Sequence, residues 1–153
     1  MKQDLIFRDY RQADYDIVKT MMLALVYHEG NGCEHGYEMP ESKIMKTVQR
    51  SLSHPDQLKI KIFQIAETIA GYALLTFYWS NEHGGTVLLL DELYVLPSFR
   101  NHGLGSLFIT QLSQETDCSA IRLEVFKENT RASQWYRKLG FEVVARDFME
   151  KKL

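Results

Sequence analysis

The chain has 153 residues, a formal net charge of −2, 25% charged and 45% hydrophobic residues, and two cysteines. That length suits one domain spanning 1–153 with a sizeable core, and the near-neutral balance gives no reason to expect a nucleic-acid or membrane partner. Asp4, Arg8, Asp9 and Arg11 interrupt the start, so no signal segment or membrane span is read, and Cys33 and Cys118, outside any C-x-x-C, read as free thiols of a cytoplasmic protein.

In chain order, residues 5–8 predict a short strand, and Asp14 is placed to cap a helix running to about Tyr27. Residues 28–39 form a glycine-punctuated loop. A second helix follows over about 40–51, with Ile44, Val48 and Leu52 at helical spacing and His54-Pro55 as its stop. Strands over 58–66 and 69–79 join at a tight turn at Glu67-Thr68. Residues 80–85 make a longer hairpin turn into an apolar strand ending at Val95. A helix begins near Gly103, a strand covers 121–125, a helix follows Asn129, and a last strand spans about 141–148. No repeat, low-complexity tract or interdomain linker interrupts this order.

Two segments carry chemistry. In Arg100-x-x-Gly103-x-Gly105 the glycines fall where a helix starts, and Leu104, Leu107, Phe108 and Leu112 share one face of that helix. A helix start offers unpaired N–H groups and the positive dipole end, so it is a natural anion seat that glycine lets a phosphate approach. The spacing fits neither a dinucleotide fingerprint nor a P-loop. Further on, Ala132, Trp135, Tyr136 and Leu139 share a face of the next helix, with Gly140 placed to cap it. By periodicity alone, Tyr136 is a core aromatic.

Together these segments resemble the GNAT N-acetyltransferase superfamily. Arg100-x-x-Gly103-x-Gly105 matches its acetyl-CoA pyrophosphate motif. Asn129-x-x-Ala132-x-x-Trp135-Tyr136, then Leu139-Gly140-Phe141, matches its second acetyl-CoA motif and the strand after it. The close match runs over 86–144. Asn101-His102 departs from the basic residues many members carry there, which touches side-chain contacts to phosphate but not the backbone donors. The resemblance implies an α/β fold, a mixed and mostly antiparallel central sheet flanked by about four helices. It also implies acetyl-CoA as co-substrate, and by analogy a homodimer.

The resemblance further assigns roles. The backbone of Leu93, Tyr94 and Val95 would bind the pantetheine arm. The N–H groups of Asn101, His102, Gly103, Leu104, Gly105 and Ser106, after Arg100, would cradle the pyrophosphate, and Asn129 would contact the pantetheine. Tyr136 would stand by the sulfur as general acid, since a phenol with reference pKa ~10 stays protonated at neutral pH. Attack would be direct, with neither cysteine as nucleophile. For deprotonating the amine, Asp91 and Glu92 precede the strand end, on opposite faces of a regular strand, and a water chain is the alternative. Members of the superfamily often have a bulge there that changes the facing. In polyamine acetyltransferases of the superfamily the first acid of such a pair is implicated. A CoA-binding sensor without turnover is the competing class; Tyr136 with the acid pair argues for an enzyme.

The acceptor is read from charge. No lysine or arginine lies between Lys19 and Lys43, whereas Glu29, Glu34, Glu38 and Glu41 do. These acids either draw a cationic amine, such as a polyamine, an aminoglycoside-like amine or a basic peptide end, or form a solvated acidic loop. Tyr78 and Trp79 offer faces on which a cation could stack, or pack in the core. His28, Cys33 and His35 are zinc-ligand types without ligand spacing, so no metal is expected.

Overall fold

A computed structural model describes residues 4–29 and 38–153. Strands β1 (Leu5–Asp9), β2 (Leu58–Ile65), β3 (Thr68–Ser80), β4 (Gly85–Val95) and β5 (Ala120–Leu123) form one sheet in that spatial order. Neighbours pair antiparallel except β4 and β5, which run parallel. A parallel neighbour needs a crossover, and α3 (Leu104–Glu115) supplies it. The remaining helices are α1 (Tyr15–Ala24), α2 (Glu41–Ser53) and α4 (Thr130–Lys138).

Two apolar layers sandwich the sheet. On one face Val18, Met21 and Met22 of α1 and Ile44 and Val48 of α2 pack on Ile60, Ile62, Tyr72, Leu74 and Tyr94. On the other, Leu104, Phe108 and Ile109 of α3 pack on Phe63, Ala73, Leu75, Leu88 and Leu90. Phe63 anchors this second layer, with ring centroids 4.8 Å from Phe7 and 4.7 Å from Phe108. The alternation of apolar residues along the strands fixes which side chains reach each layer.

Several boundaries depart from the sequence expectations. The tight turn sits at Ala66-Glu67, with Ala66 in the left-handed region at φ 50°. The first helix loosens after Ala24 into a π-helical turn, Leu25–Glu29. β5 ends at Leu123, and residues 141–148, expected as a last strand, adopt no regular structure. A strand exists only where a neighbour takes up its backbone groups, and among the described residues no strand does so here.

Asp14 occupies the position before α1, but its carboxylate does not cap that helix. It accepts two 2.8 Å bonds from the Arg8 guanidinium and one from the Arg11 amide, closing the short 3-10 turn Gln12–Asp14. Burial alone would raise this carboxyl; the Arg8 bonds and the Arg11 amide outweigh it and hold it below the ordinary range. The pair is mostly screened from water, so Asp14→Ala should cost about 2–3 kcal/mol at neutral pH by leaving Arg8 unpaired. Because the folded carboxyl is depressed, that deficit should be full above pH ~4 and shrink as pH falls further. Denaturant unfolding of both proteins across that window checks it.

Candidate active site

The expected functional side chains gather around the C-terminal end of β4. The β3–β4 register slips there: Leu75 faces Leu90 and Leu74 faces Glu92, leaving Asp91 as an extra residue. This β-bulge resets the alternation. Before it, Leu88 and Leu90 pack toward α3; after it, Leu93 and Val95 do so, and Tyr94 joins the α1–α2 layer. An unbroken strand would have put Tyr94 on the same face as Leu90. Glu92 accepts a 2.7 Å hydrogen bond from the Tyr72 hydroxyl, itself part of the α1–α2 layer. The expectation of two acids on opposite faces therefore becomes a Glu92 tied to the α1–α2 side and an Asp91 held out on the bulge.

Their electrostatics differ. Burial pushes the Glu92 carboxyl up to about 7; the Tyr72 bond opposes that rise and the Asp91 charge adds to it. Asp91 is exposed, yet neighbouring atoms strip enough water to raise its carboxyl above the ordinary value. Burial and the Glu92 charge keep the Tyr72 phenol protonated, so it is a fixed donor.

The loop after β4 is held by its own arginine. Arg100 Nε donates to the Val95 carbonyl at 2.8 Å, and the guanidinium lies 5.4 Å from the Tyr94 ring centroid. Arg100 thus fixes the strand end next to the helix start. Asn101 and Gly103 take left-handed backbone at φ 62° and 77°. Gly103 precedes α3, no side chain caps the helix, and nothing lies within 4 Å of where its Cβ would be. The first-turn amides of Leu104, Gly105 and Ser106 therefore have no capping side chain, with the positive end of the dipole behind them. Asn101 and His102 flank this helix start as exposed side chains. Chemically this suits a pyrophosphate, the expected group of acetyl-CoA.

Gly105 has a packing role that its spacing does not reveal. A Cβ there would lie 3.1 Å from Trp135 Cη2, 3.2 Å from Cζ2 and 3.8 Å from Leu93 Cδ2. The missing side chain lets α4 close on α3. Trp135 Nε1 also donates to Ser106 Oγ at 3.0 Å. The strand end, the helix start and α4 thus meet at one residue. Gly105→Ala should lower stability by about 1–3 kcal/mol, because the indole must shift from a packed position. It should also weaken acetyl-CoA binding, which thermal unfolding and calorimetry would read separately.

Tyr136 sits beside Trp135, ring centroids 4.6 Å apart, and edge-on to Phe141 at 5.6 Å. Burial pushes its phenol up to about 12. Asn129 caps α4, its Oδ1 accepting from the Ala132 amide at 3.1 Å. Its side-chain oxygen is thus engaged in holding the helix that carries Tyr136.

Other expected site residues are not brought here. Tyr78 pairs opposite Val87, roughly 15 Å along the strand from Glu92 at ~3.3 Å per residue, and its hydroxyl accepts from Arg122 at 2.9 Å. Glu38 is exposed ahead of α2, and Glu41 is engaged by Tyr15 and Lys19. Glu34, Cys33, His35 and the side chain of Glu29 lie outside the described residues. Among the described residues no group of three or more metal-ligand side chains comes together, and no helix is long and apolar enough to cross a membrane. Two members of the site went unread in the sequence, Tyr72 as the donor to Glu92 and Trp135 as the clamp on Gly105. Only the bulged register and the helix contact reveal them.

Comparison with known proteins agrees with this geometry. Residues 23–141 match the model of the acetyltransferase (GNAT) family. A thialysine N-epsilon-acetyltransferase of Bos taurus is 35% identical over 75 residues, 47% of this chain and 44% of that protein. The chain spans less than half the length of the curated relatives it matches. In fold it is similar to a possible acetyltransferase from Clostridium difficile 630, with TM-score 0.82 at 20% identity over 97% of both chains. It is also similar to the aminoglycoside N-acetyltransferase AAC(6')-Iy in complex with CoA, with TM-score 0.74 at 19% identity over 97% and 94% of the two chains. With the family's pattern running through most of its length, from α1 to the end of the Tyr136 helix, the chain belongs to the GNAT acetyltransferase family.

Proposed function

We propose that this chain is an N-acetyltransferase that passes the acetyl group of acetyl-CoA to a primary amine by direct attack, and that the acceptor is a small cationic amine or a basic peptide end. The observation that carries this reading is the acid pair at the bulge of β4, the strand whose end leads through a short turn into the uncapped start of α3. A primary amine with pKa ~10 arrives as its ammonium ion and must lose a proton before it can attack. Asp91 and Glu92 together attract that cation. Glu92, with a carboxyl near 7, accepts the proton at neutral pH far better than a carboxylate at the usual ~4.3.

The chain's other residues position the donor. Acetyl-CoA, when bound, supplies a thioester carbonyl activated for acyl transfer. The backbone of Leu93, Tyr94 and Val95 would hold its pantetheine arm, and the amides from Asn101 to Ser106 its pyrophosphate. Arg100 keeps the strand end and the helix start in register, and Asn129 keeps α4 in place. Tyr136 donates a hydrogen bond to the sulfur as the C–S bond breaks. Relatives named for thialysine and aminoglycosides, both amines, support this acceptor class. The same reading includes a cytoplasmic setting, which suits the free Cys118, and a homodimer.

Calorimetry with acetyl-CoA, then free-thiol release against thialysine, a polyamine, an aminoglycoside and a basic peptide, tests the reading. Binding with release for one amine class is expected. Binding without release across the panel would instead mark a CoA-binding module, and no binding would remove the pyrophosphate cradle and the reading with it.

A further inference from the structure

Ser106 and Trp135 join the start of α3 to the helix that carries Tyr136. Ser106 lies in the first turn of α3, and Trp135 directly precedes Tyr136 on α4. An indole N–H can only donate, so the Ser106 hydroxyl is the acceptor in its 3.0 Å bond with Trp135 Nε1. Its own proton must then point elsewhere. Ser113, later in the same helix, turns its hydroxyl back to the Ile109 carbonyl at 2.7 Å, a common bond for a serine inside a helix. Ser106 makes no such bond and gives its proton to no acceptor among the described residues. A hydroxyl with a proton to donate thus stands beside the uncapped first-turn amides of Leu104, Gly105 and Ser106.

The helix at the other end of this bond is lightly held. α4 buries no residue fully, whereas α3 buries Leu104, Phe108 and Ile109. Among the described residues, the Trp135–Ser106 bond is the one side-chain hydrogen bond from α4 to another element. The far edge of the same indole sits where a Gly105 side chain would begin, and its centroid lies 4.6 Å from the Tyr136 ring. The placing of Tyr136 therefore depends on a helix whose polar tie ends on a hydroxyl in the first turn of α3.

We propose that Trp135 is a positioning residue through which the pyrophosphate of the donor sets the place of Tyr136. Ser106 donates to a pyrophosphate oxygen and accepts from the indole, so the three groups form one chain of hydrogen bonds. Bonds in series polarise one another, so an anion at Ser106 strengthens the hold on Trp135 and hence on α4. Binding energy from a part of acetyl-CoA remote from the thioester is thereby used where the C–S bond breaks. The inference rests on the donor site and the acid role proposed above. It adds that thioesters lacking the pyrophosphate are disfavoured in turnover and not in affinity alone.

Comparing acetyl-CoA with S-acetylpantetheine, which ends before the pyrophosphate, tests this. At saturation the unaltered protein should turn over acetyl-CoA roughly 3- to 10-fold faster, the worth of one hydrogen bond. In Trp135→Phe that ratio should fall to about 1 whatever the absolute rates, and adding Ser106→Ala should lower it no further. A tryptophan that only packs would slow both donors alike and keep the ratio. Trp79→Phe leaves Trp135 as the sole indole. In that protein ADP should shift the emission, and in the unaltered one it should raise acetylpantetheine turnover roughly 3-fold or more. A native ratio near 1, or a ratio that survives in Trp135→Phe, would overturn the proposal and leave the donor site standing. So would ADP that binds by calorimetry yet leaves emission or turnover unchanged. Failure of acetyl-CoA to bind would instead remove the donor site, and this inference with it. Should Trp135→Phe not fold, the ADP measurements decide.

Discussion

Tyr136→Phe is expected to lower kcat roughly 10- to 100-fold while leaving acetyl-CoA affinity nearly unchanged. The substitution removes only the hydroxyl. The ring contacts with Trp135 and Phe141, which hold α4 against the rest of the site, survive it. The size of the effect follows from the acidity mismatch. A phenol near 12 and a thiol near ~8.5 differ by about 3.5 pH units, so full proton transfer to the departing thiolate is uphill by ~5 kcal/mol. On the proposed function, Tyr136 would therefore act by donating a hydrogen bond to charge that builds on the sulfur. Such a charge-assisted bond contributes about 1.5–3 kcal/mol, which sets the expected range. Steady-state thiol release, with calorimetry for acetyl-CoA, separates the two parameters. An unchanged kcat would return Tyr136 to the packing role that its periodicity alone suggests.

What could be read in the sequence was local. The helix starting after Gly103, the Asn129 cap and the i, i+4 pair of Leu104 and Phe108 depend on neighbours a few residues away, so spacing reveals them. What could not be read depends on distant partners. A one-residue bulge at Asp91 leaves no compositional mark, yet it decides which face Glu92 and Leu93 take. The Tyr72–Glu92 bond joins two strands across a register that the bulge itself sets. The spacing of Gly105 fits a phosphate glycine but says nothing of its packing. Trp135, on another helix, is what fills the space beside it. Residues 141–148 show the opposite failure, since their strand propensity is real but no strand among the described residues pairs with them.

Glu92→Gln should lower kcat/KM roughly 10²- to 10⁴-fold near neutral pH and at the same time stabilise the fold above pH 7. Both effects come from one carboxyl. Its folded value near 7 lies well above the ~4.3 of an unfolded chain, so the native state binds that proton more tightly. The stability it contributes is complete below pH ~4.3 and is lost as pH rises through about 7, on the order of 3 kcal/mol in all. Glutamine carries no charge to bury, so the variant should match the native protein near pH 4 and exceed it at pH 8. Two neighbours then tune the acid limb of kcat/KM in opposite directions. Tyr72→Phe removes the donor that favours the carboxylate, so the limb should move to higher pH. Asp91→Asn removes the like charge that opposes ionisation, so it should move lower. Limbs that shift the same way, or a native profile flat between about pH 6 and 8, would mean that the amine loses its proton to a water chain instead of to Glu92.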